Sequence, residues 1–509
     1  FDEASYREME FALKRVIEAD NLRLKELKET LLGSRTPIFS ENTRSESEGL
    51  NFSQNQACLK IANAKDVAII HGPPGTGKTT TLIRAISEAA EKGLSDLVCA
   101  PSNAAVDLLV EKLTDAGIST LRLGHPARVE EKILNQTLDA KTAFHESYRD
   151  LKKLRKEIDQ YLKLAKQYKR NFGPEERRQR KLLFDEVGRI REAAKHLEEY
   201  ISFDIFQKTQ VFACTLVGAS SYHLKGMAFD VVFIDEAAQG LEAATWIPIL
   251  KAKKVVFAGD HLQLPPTIKS FEAAKEGLAI TLMEKVIQRK PQVAELLQVQ
   301  YRMKAEIMGF SNEYFYGGKL KAAENTDLHV FENEAVLEWI DTAGAGFTDR
   351  QEEESLSTFN PEEASFTCKY LNELIKRIGI SKLKENGWTI GLIAPYSAQV
   401  RYLRTLIFET YDYPNLKAFA DLITIDTVDG FQGQERDLMI ISLTRSNERG
   451  EIGFLADERR MNVAITRAKR KLVLIGDSST LAINPFFDSL LGYFEEKGGY
   501  RSVWEFIDV

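Results

Sequence analysis

The chain has 509 residues, of which 44% are hydrophobic and 28% are charged, and its formal net charge is −7. It has no apolar run of 18 residues, so we expect no membrane-spanning helix. The acidic balance argues against binding nucleic acid through bulk charge, although a local basic groove stays open. The four cysteines are far apart and form no CxxC pair. We therefore expect reduced thiols, no zinc or iron–sulfur site, and a cytoplasmic protein, or a nuclear one in a eukaryote.

The first 48 residues predict helices followed by a linker. From Ala4 to Leu32, apolar residues recur at helical spacing among charges, which indicates one long helix or a helical pair. Residues 35–48 are polar and include proline, serine and asparagine, which is typical of a linker. We therefore assign residues 1–48 to a helical stalk and linker.

From Leu50 onward, short apolar runs alternate with helical stretches, a pattern typical of parallel sheets covered by helices. The runs predicted as strands are Val67–Ile70, Leu97–Ala100, Val211–Ala213, Val231–Ile234, Val255–Ala258, Thr389–Ile393, Ile423–Ile425, Leu438–Ser442 and Leu472–Ile475. These strands are enough for two doubly wound sheets. The predicted fold class is α/β, with two tandem parallel-sheet domains at residues 49–288 and 289–509.

A highly charged segment interrupts the first domain. Residues 151–200 carry 24 charged side chains, 15 basic and 9 acidic, with leucines and isoleucines at helical spacing. A helix breaker, Asn171-Phe-Gly-Pro174, lies in the middle. We predict two antiparallel helices within a helical insertion at about residues 127–203. They are either a solvated hairpin or, given their basic surplus, a lever that touches nucleic-acid phosphates.

The segment Gly72-Pro-Pro-Gly-Thr-Gly-Lys-Thr79 fits the phosphate-loop (P-loop) pattern G-x-x-x-x-G-K-[ST] between an apolar run and a helix-compatible run. Its glycines let backbone N–H groups turn toward phosphate oxygens, and the following helix N-terminus favours negative charge. Lys78 would reach the β- and γ-phosphates, and the Thr79 hydroxyl would ligate Mg²⁺. The predicted nucleotide-binding residues here are Gly75, Thr76, Gly77, Lys78, Thr79 and Thr80.

Two further strands end in acidic turns. In Val231-Val-Phe-Ile-Asp-Glu236, two carboxylates follow an apolar strand, at the sheet edge where ligands bind. Asp235 would hold Mg²⁺, directly or through water, and Glu236 would orient and deprotonate the attacking water. In a later Gly-Asp turn, Asp260 and Gln263 would sense the γ-phosphate. Either turn could alone be an ordinary acidic loop, but the P-loop upstream favours the catalytic interpretation.

These motifs belong to a longer ordered set of sequence blocks. The blocks are LNFSQNQ, HGPPGTGKTTT, CAPSNAAVD, LRLGHPAR, FIDEAAQGLEA, AGDHLQLPPT, VQYRM, IAPYSAQV, TIDTVDGFQGQERD and RRMNVAITRAK. With this set the chain resembles the superfamily 1B helicases of the up-frameshift subfamily, from Leu50 to about Ile507. The resemblance implies two RecA-like domains of the P-loop NTPase class, with ATP at their interface and single-stranded nucleic acid across their tops.

The resemblance also implies roles for single residues. Gln54 would read the adenine edge, Tyr301 would stack on the base, and Arg302 would contact the γ-phosphate. Gly433 and Glu435 would contact the region of the γ-phosphate and ribose. Arginines donated from the second domain would neutralise the transferring phosphoryl group once the cleft closes, although a structural salt bridge is the alternative for each. The implied catalytic residues are Lys78, Glu236, Gln263, Arg302 and Arg467.

Polar residues that follow strands are implied to contact nucleic acid. They are Pro101, Ser102, Asn103 and Thr215 in the first domain and Pro395, Tyr396, Gln399 and Thr427 in the second. Serine, threonine and asparagine at strand tips suit phosphate and sugar contacts, which carry no sequence information. Ordinary helix capping is the alternative for each of them.

The resemblance implies a monomeric helicase or translocase that uses ATP and Mg²⁺. It would move 5′ to 3′ on single-stranded DNA or RNA and unwind tailed duplexes. Relatives carry a small β-barrel before the first RecA-like domain, and since only a stalk-like helix precedes it here, we expect the barrel upstream of this sequence. The alternative is an ATP-switched clamp that holds RNA or displaces bound proteins without productive unwinding, because it would need the same motifs.

Overall fold

The computed structural model describes residues 3–19, 21–41, 46–167, 173–268, 270–410 and 412–507. It contains two large parallel sheets, each flanked by helices, which confirms the predicted α/β class. All nine predicted strands are confirmed. Most of their apolar runs are continuous because strands covered by helices on both faces are buried on both faces, whereas Gly391 and Thr424 interrupt two of them.

The first sheet has seven parallel strands. In spatial order they are Thr120–Arg122, Val211–Thr215, Asp96–Ala100, Phe229–Ile234, Ala252–Gly259, Val67–His71 and Ala294–Leu296. The flanking helices include Phe52–Asn63, Lys78–Glu91, Asn103–Asp115, Glu242–Ile249 and Leu282–Arg289. The edge strand Ala294–Leu296 lies beyond residue 288, so this sheet takes its last strand from the segment that leads into the second domain.

The second sheet has six parallel strands. In spatial order they are Ile423–Thr427, Ile390–Ala394, Arg436–Ser442, Ala468–Gly476, Leu337–Asp341 and Tyr500–Ser502. The helices of this domain include Ala305–Tyr316, Pro361–Ile378, Ile380–Glu385, Ser397–Arg404, Pro414–Lys417, Glu458–Ile465, Ser478–Leu481, Pro485–Glu496 and Trp504–Ile507. Two short strand pairs accompany it: Val299–Gln300 with Lys321–Ala322, and Arg350–Gln351 with Thr358–Phe359.

The N-terminal segment forms a pair of helices, Glu3–Glu18 and Leu22–Leu32. Their apolar residues, such as Val16 and Leu27, belong to the same buried cluster as strands of the first sheet. Arg23 donates to the backbone oxygen of Lys253 at 2.7 Å and forms an ion pair with Asp66 at 2.8 Å. The helical pair is therefore docked on the first domain. Within the predicted linker, residues 42–45 lie outside the described residues.

The helical insertion lies between the strands Thr120–Arg122 and Val211–Thr215. It contains the helices Leu138–Phe144, Tyr148–Ala165 and Pro174–Gln207, and the two longer ones pack against each other. Of the predicted breaker, Asn171 and Phe172 lie outside the described residues, whereas Pro174 begins the last helix. Among the helices in the described part of the chain, none is both long and apolar enough to cross a membrane.

Candidate functional site

The phosphate loop joins the strand Val67–His71 to the helix Lys78–Glu91. Gly75 and Gly77 both have a φ of +75°, in the left-handed region that favours glycine. A Cβ atom on Gly75 would lie 2.7 Å from the Cβ of Arg302, and one on Gly77 would lie 2.5 Å from Nε2 of Gln54. Both glycines are therefore required by backbone conformation and by close contact.

Lys78 lies between the two carboxylates that the sequence predicts. Its Nζ is 3.3 Å from Oδ1 of Asp235 and donates to Oε1 of Glu236. Burial alone would lower the pKa of Lys78, but the two carboxylates outweigh it and raise this pKa above its ordinary value. Burial raises the pKa of Asp235 despite the opposing charge of Lys78.

Glu236 has an unusual backbone for a residue with a side chain. Its φ of +49° lies in the left-handed region, and such strain is concentrated at functional sites. Its Oε2 accepts a 2.6 Å hydrogen bond from Nε2 of Gln239. Both carboxylate oxygens are therefore oriented by neighbours, one by Lys78 and the other by Gln239.

The residues of this site fit a nucleotide bound with Mg²⁺. A hydroxyl from Thr79 and a carboxylate from Asp235 are the hard oxygen ligands that Mg²⁺ prefers. The glycine-lined turn at a helix N-terminus suits phosphate oxygens. Thr79 and Asp235 would hold the ion, which would neutralise phosphate charge. Thr76 is buried and anchors the loop by donating to the backbone oxygen of Pro73 at 2.7 Å, whereas Thr80 is exposed.

Gln54 and Tyr301 lie beside the phosphate loop. The Gln54 side chain is buried; its Oε1 accepts from the backbone N–H of Asn51 at 2.9 Å, and its Nε2 donates to the backbone oxygen of Thr76 at 3.1 Å. The backbone N–H of Tyr301 donates to the oxygen of Gly75 at 2.9 Å, and its ring is 42% exposed. The contacts of both residues with adenine stay predictions.

Arg302 reaches into the second domain. Its Nε is 2.5 Å from Oε2 of Glu435, and its Nη1 donates to the backbone oxygen of Thr466 at 3.1 Å. Lys469 pairs with the other Glu435 oxygen at 2.8 Å. Burial would raise the pKa of Glu435, but Arg302 and Lys469 hold this pKa below its ordinary value. Gly433 lies in the preceding turn with a φ of +76°.

Arg467 is almost fully buried, with 3% of its surface exposed. Its guanidinium donates to three neutral oxygens: Oε1 of Gln263 at 3.1 Å and the backbone oxygens of Val463 at 3.1 Å and Gln434 at 3.2 Å. Burial and the nearby charge of Arg302 lower the pKa of Arg467. A buried cation with neutral partners is costly, and an anion brought to it would be strongly stabilised.

Asp260 connects the two domains next to this arginine. Its Oδ1 faces Nε2 of His71 at 2.9 Å, and its Oδ2 accepts from Gln263 at 2.8 Å and from the Tyr316 hydroxyl at 2.7 Å. Asn462 donates to the Tyr316 hydroxyl at 3.1 Å. Burial would raise the pKa of Asp260, but these hydrogen bonds and His71 lower it to about 2. No sequence pattern predicted roles for His71, Tyr316 or Asn462, although His71 directly precedes the P-loop.

His71, Asp260 and His261 also bring three potential metal ligands within 4.8 Å of one another. The Asp260 oxygens, however, already accept hydrogen bonds from both domains, including one from the backbone N–H of Leu262 at 3.1 Å. A metal ion would have to displace these donors. We therefore interpret the cluster as a hydrogen-bond network.

The predicted nucleic-acid residues of the first domain lie at the carboxyl ends of two neighbouring strands. Pro101 and Ser102 follow Asp96–Ala100, and Thr215 ends Val211–Thr215. Ser102 is exposed and caps the next helix by accepting from the backbone N–H of Ala105 at 3.2 Å. The Oδ1 of Asn103 accepts from Nη2 of a buried arginine, Arg122, at 2.9 Å. Capping is thus realised for Ser102, and nucleic-acid contact stays a prediction.

In the second domain, Pro395 and Thr427 likewise follow or end neighbouring strands and are half-buried. Tyr396 is only 5% exposed, and its ring packs against Phe454. Gln399 is fully buried; its side chain accepts from Asn360 at 2.7 Å and donates to Ser442 at 2.9 Å. The structure contradicts direct nucleic-acid contact by Gln399, because its amide is used to hold the interior of the domain together.

The residues predicted to bind the nucleotide and those predicted to contact nucleic acid lie at opposite ends of the strands of the second sheet. Glu435 and Arg467 directly precede the strands Arg436–Ser442 and Ala468–Gly476, at the amino ends. Pro395 and Thr427 lie at the carboxyl ends. In the first sheet both sets lie at the carboxyl edge but on different strands. The P-loop, around which the domains meet, and the predicted nucleic-acid residues therefore lie at different places on the two sheets.

This fold and site define a P-loop NTPase with two RecA-like domains. Residues 49–271 and 278–479 each match an AAA domain family. The chain is 37% identical to rat DNA-binding protein SMUBP-2 over 100% of this chain and 51% of the relative. It is 33% identical to DNA polymerase alpha-associated DNA helicase A of Saccharomyces cerevisiae, over 98% of this chain and 76% of the relative.

An uncharacterised ATP-dependent helicase of Methanocaldococcus jannaschii is 34% identical over 87% of this chain and 70% of the relative. The chain therefore belongs to the superfamily 1B helicase family, in the up-frameshift-like group that includes SMUBP-2. It spans about half the length of the rodent SMUBP-2 proteins.

Proposed function

We propose that this protein is an ATP-dependent helicase that translocates on single-stranded nucleic acid and unwinds tailed duplexes. The observation that carries the proposal is a pair of arginines beside the P-loop: Arg302 lies on the segment that leads into the second domain, and Arg467 lies in the second domain, buried with neutral partners. A triphosphate in this cleft would place negative charge beside a guanidinium whose three hydrogen bonds go to neutral oxygens. The AAA domain matches and the helicase relatives support the same activity.

In the proposed cycle, ATP draws the two domains together. Lys78 and the loop N–H groups bind the phosphates, and Glu236 orients and deprotonates the attacking water. Arg302 and Arg467 stabilise the developing charge, and Gln263 connects that charge to the domain interface. Because Arg467 lies in the second domain and Arg302 on the segment that leads into it, hydrolysis is coupled to opening of the cleft.

The nucleic-acid substrate is proposed on general grounds. Polar strand tips such as Ser102, Thr215 and Thr427 suit phosphate and sugar contacts, which serve DNA and RNA alike. Relatives named as a DNA-binding protein and as a DNA helicase support DNA. We further propose 5′-to-3′ movement, Mg²⁺ as the accompanying ion, action as a monomer, and a cytoplasmic or nuclear location.

Unwinding assays on two matched duplexes test the proposal. One duplex carries a 5′ single-stranded tail and the other a 3′ tail, and ATP turnover is measured alongside. We expect unwinding of the 5′-tailed duplex alone, its loss in Glu236→Gln, and unchanged unwinding in Glu354→Gln, an exposed glutamate of the second domain. Strand-stimulated ATP turnover with neither duplex opened would favour the ATP-switched clamp, and absence of turnover would contradict both proposals.

A further inference from the structure

A ring of hydrogen bonds, closed by the backbone between Asn462 and Arg467, joins the two domains beside the P-loop. In the first domain, Asp260 accepts from Gln263, whose carbonyl oxygen in turn accepts from Arg467 of the second domain. The ring returns through Asn462, which lies on the same chain segment as Arg467, and through Tyr316 back to Asp260. The arginine is thus linked to Asp260 by two routes.

The direction of each hydrogen bond in the return route is fixed. The Nδ2 of Asn462 faces the backbone oxygen of Leu262 at 2.8 Å, which can only accept, and this orients the amide. The Tyr316 hydroxyl therefore accepts from Asn462 and gives its own hydrogen to Asp260. Burial and the Asp260 carboxylate raise the pKa of Tyr316 well above its ordinary value, so this proton stays on the phenol.

One oxygen of the Asp260 carboxylate accepts a hydrogen bond from each domain. Oδ2 of Asp260 accepts from the Tyr316 hydroxyl at 2.7 Å and from Nε2 of Gln263 at 2.8 Å. Because the Gln263 amide is planar, holding its nitrogen on Asp260 aims its oxygen at Arg467. A shift of Tyr316 with the second domain would therefore change where Gln263 points.

We propose that Tyr316 is a positioning residue which, together with Asn462, sets Gln263 and Arg467 for ATP hydrolysis. This inference rests on the proposed function and deepens it, since it names the hydrogen bonds through which the position of the second domain would affect the γ-phosphate site. The competing explanation is that Tyr316 only fills the second-domain core, where its ring is 5% exposed. Under that explanation the Tyr316 hydroxyl has no role in ATP hydrolysis.

The variant Tyr316→Phe separates the two explanations because it keeps the ring and removes the hydroxyl. Tyr314→Phe is the matched control, since Tyr314 lies on the same helix, is 42% exposed and is outside the ring of hydrogen bonds. With single-stranded DNA present, we expect kcat for ATP to fall by about 10- to 100-fold in Tyr316→Phe, the range for losing a hydrogen bond to a charged group. KM for ATP should stay within about twofold, and Tyr314→Phe should match the wild type.

Two further measurements exclude a merely structural effect. Affinity for ADP–aluminium fluoride should fall with kcat, whereas affinity for ADP should not change. In an Arg467→Ala background, Tyr316→Phe should cause no additional loss, because both act through the same arginine. Asn462→Ala should lower kcat in the same way and provides a second route to the result.

Unchanged kcat in Tyr316→Phe, or losses that add to those of Arg467→Ala, would overturn the inference. A wild-type protein without ATP turnover would instead overturn the proposed function, so the two failures are distinguishable.

Discussion

Arg122 is buried inside the first domain, and we predict that Arg122→Met lowers the free energy of unfolding by about 3–5 kcal/mol. Its Nε lies 2.8 Å from Oδ1 of Asp107, and both side chains are 1% exposed. Removing the guanidinium leaves the Asp107 carboxylate buried without its counter-ion, and this uncompensated charge is the main cost. Methionine retains much of the apolar volume, so cavity formation adds little.

Scanning calorimetry of wild type and variant measures this loss. For a domain of this size, about 2–4 °C of melting temperature accompanies each kcal/mol, so the first-domain transition should fall by about 6–20 °C. Arg155→Met is the matched control: Arg155 pairs with Glu198 at 2.6 Å, but these side chains are 55% and 45% exposed. An exposed ion pair contributes less than about 1 kcal/mol to stability, so the melting temperature of this variant should be close to that of the wild type.

The double variant Arg122→Met, Asp107→Leu tests the cause. If the cost is the unpaired carboxylate, replacing both partners by apolar residues should restore most of the lost stability. A double variant as unstable as Arg122→Met alone, or a single variant within about 1 kcal/mol of the wild type, would refute the reasoning.

Three other predictions concern single side chains. Glu236→Gln should lower kcat for ATP by about 10²- to 10⁴-fold with ADP affinity unchanged, and undiminished turnover would remove Glu236 as the base. Arg467→Ala should lower kcat by about 10³-fold, and a twofold loss would make it a structural arginine. Burial raises the pKa of Glu363 to about 8. Between the lower pKa of this group in the unfolded chain and pH 8, the folded state binds more protons than the unfolded state. The free energy of unfolding should therefore fall as the pH rises toward 8. Urea unfolding at several pH values should show a flatter profile for Glu363→Gln; an unchanged slope would contradict the assignment.

Most strands predicted from the sequence are short runs of apolar residues. Leu337–Asp341 was missed because Glu338 and Asp341 break its pattern, yet this strand is buried in the second sheet. Glu338 is tolerated there because it pairs with buried Lys471 at 3.2 Å and accepts from Tyr370. Both partners are far away in sequence, so no local pattern could have revealed them.

The same limit applies to the site. The motifs predicted that Lys78, Asp235 and Glu236 lie at one sheet edge, and in the structure Lys78 forms ion pairs with both carboxylates. The motifs could not show that Gln399 points inward, since a glutamine after a strand looks the same in either orientation until Asn360 is placed beside it. Local chemistry was therefore predictable from sequence, whereas contacts between distant segments were not.

The segment that crosses from the first domain to the second has a consequence for engineering this chain. After the edge strand Ala294–Leu296, Tyr301 bonds to Gly75 of the P-loop and Arg302 reaches Glu435 of the second domain. The segment that connects the domains thus lines the proposed nucleotide-binding cleft. A cut or an inserted spacer here would divide the cleft itself, so split or permuted versions of the protein need their new termini elsewhere.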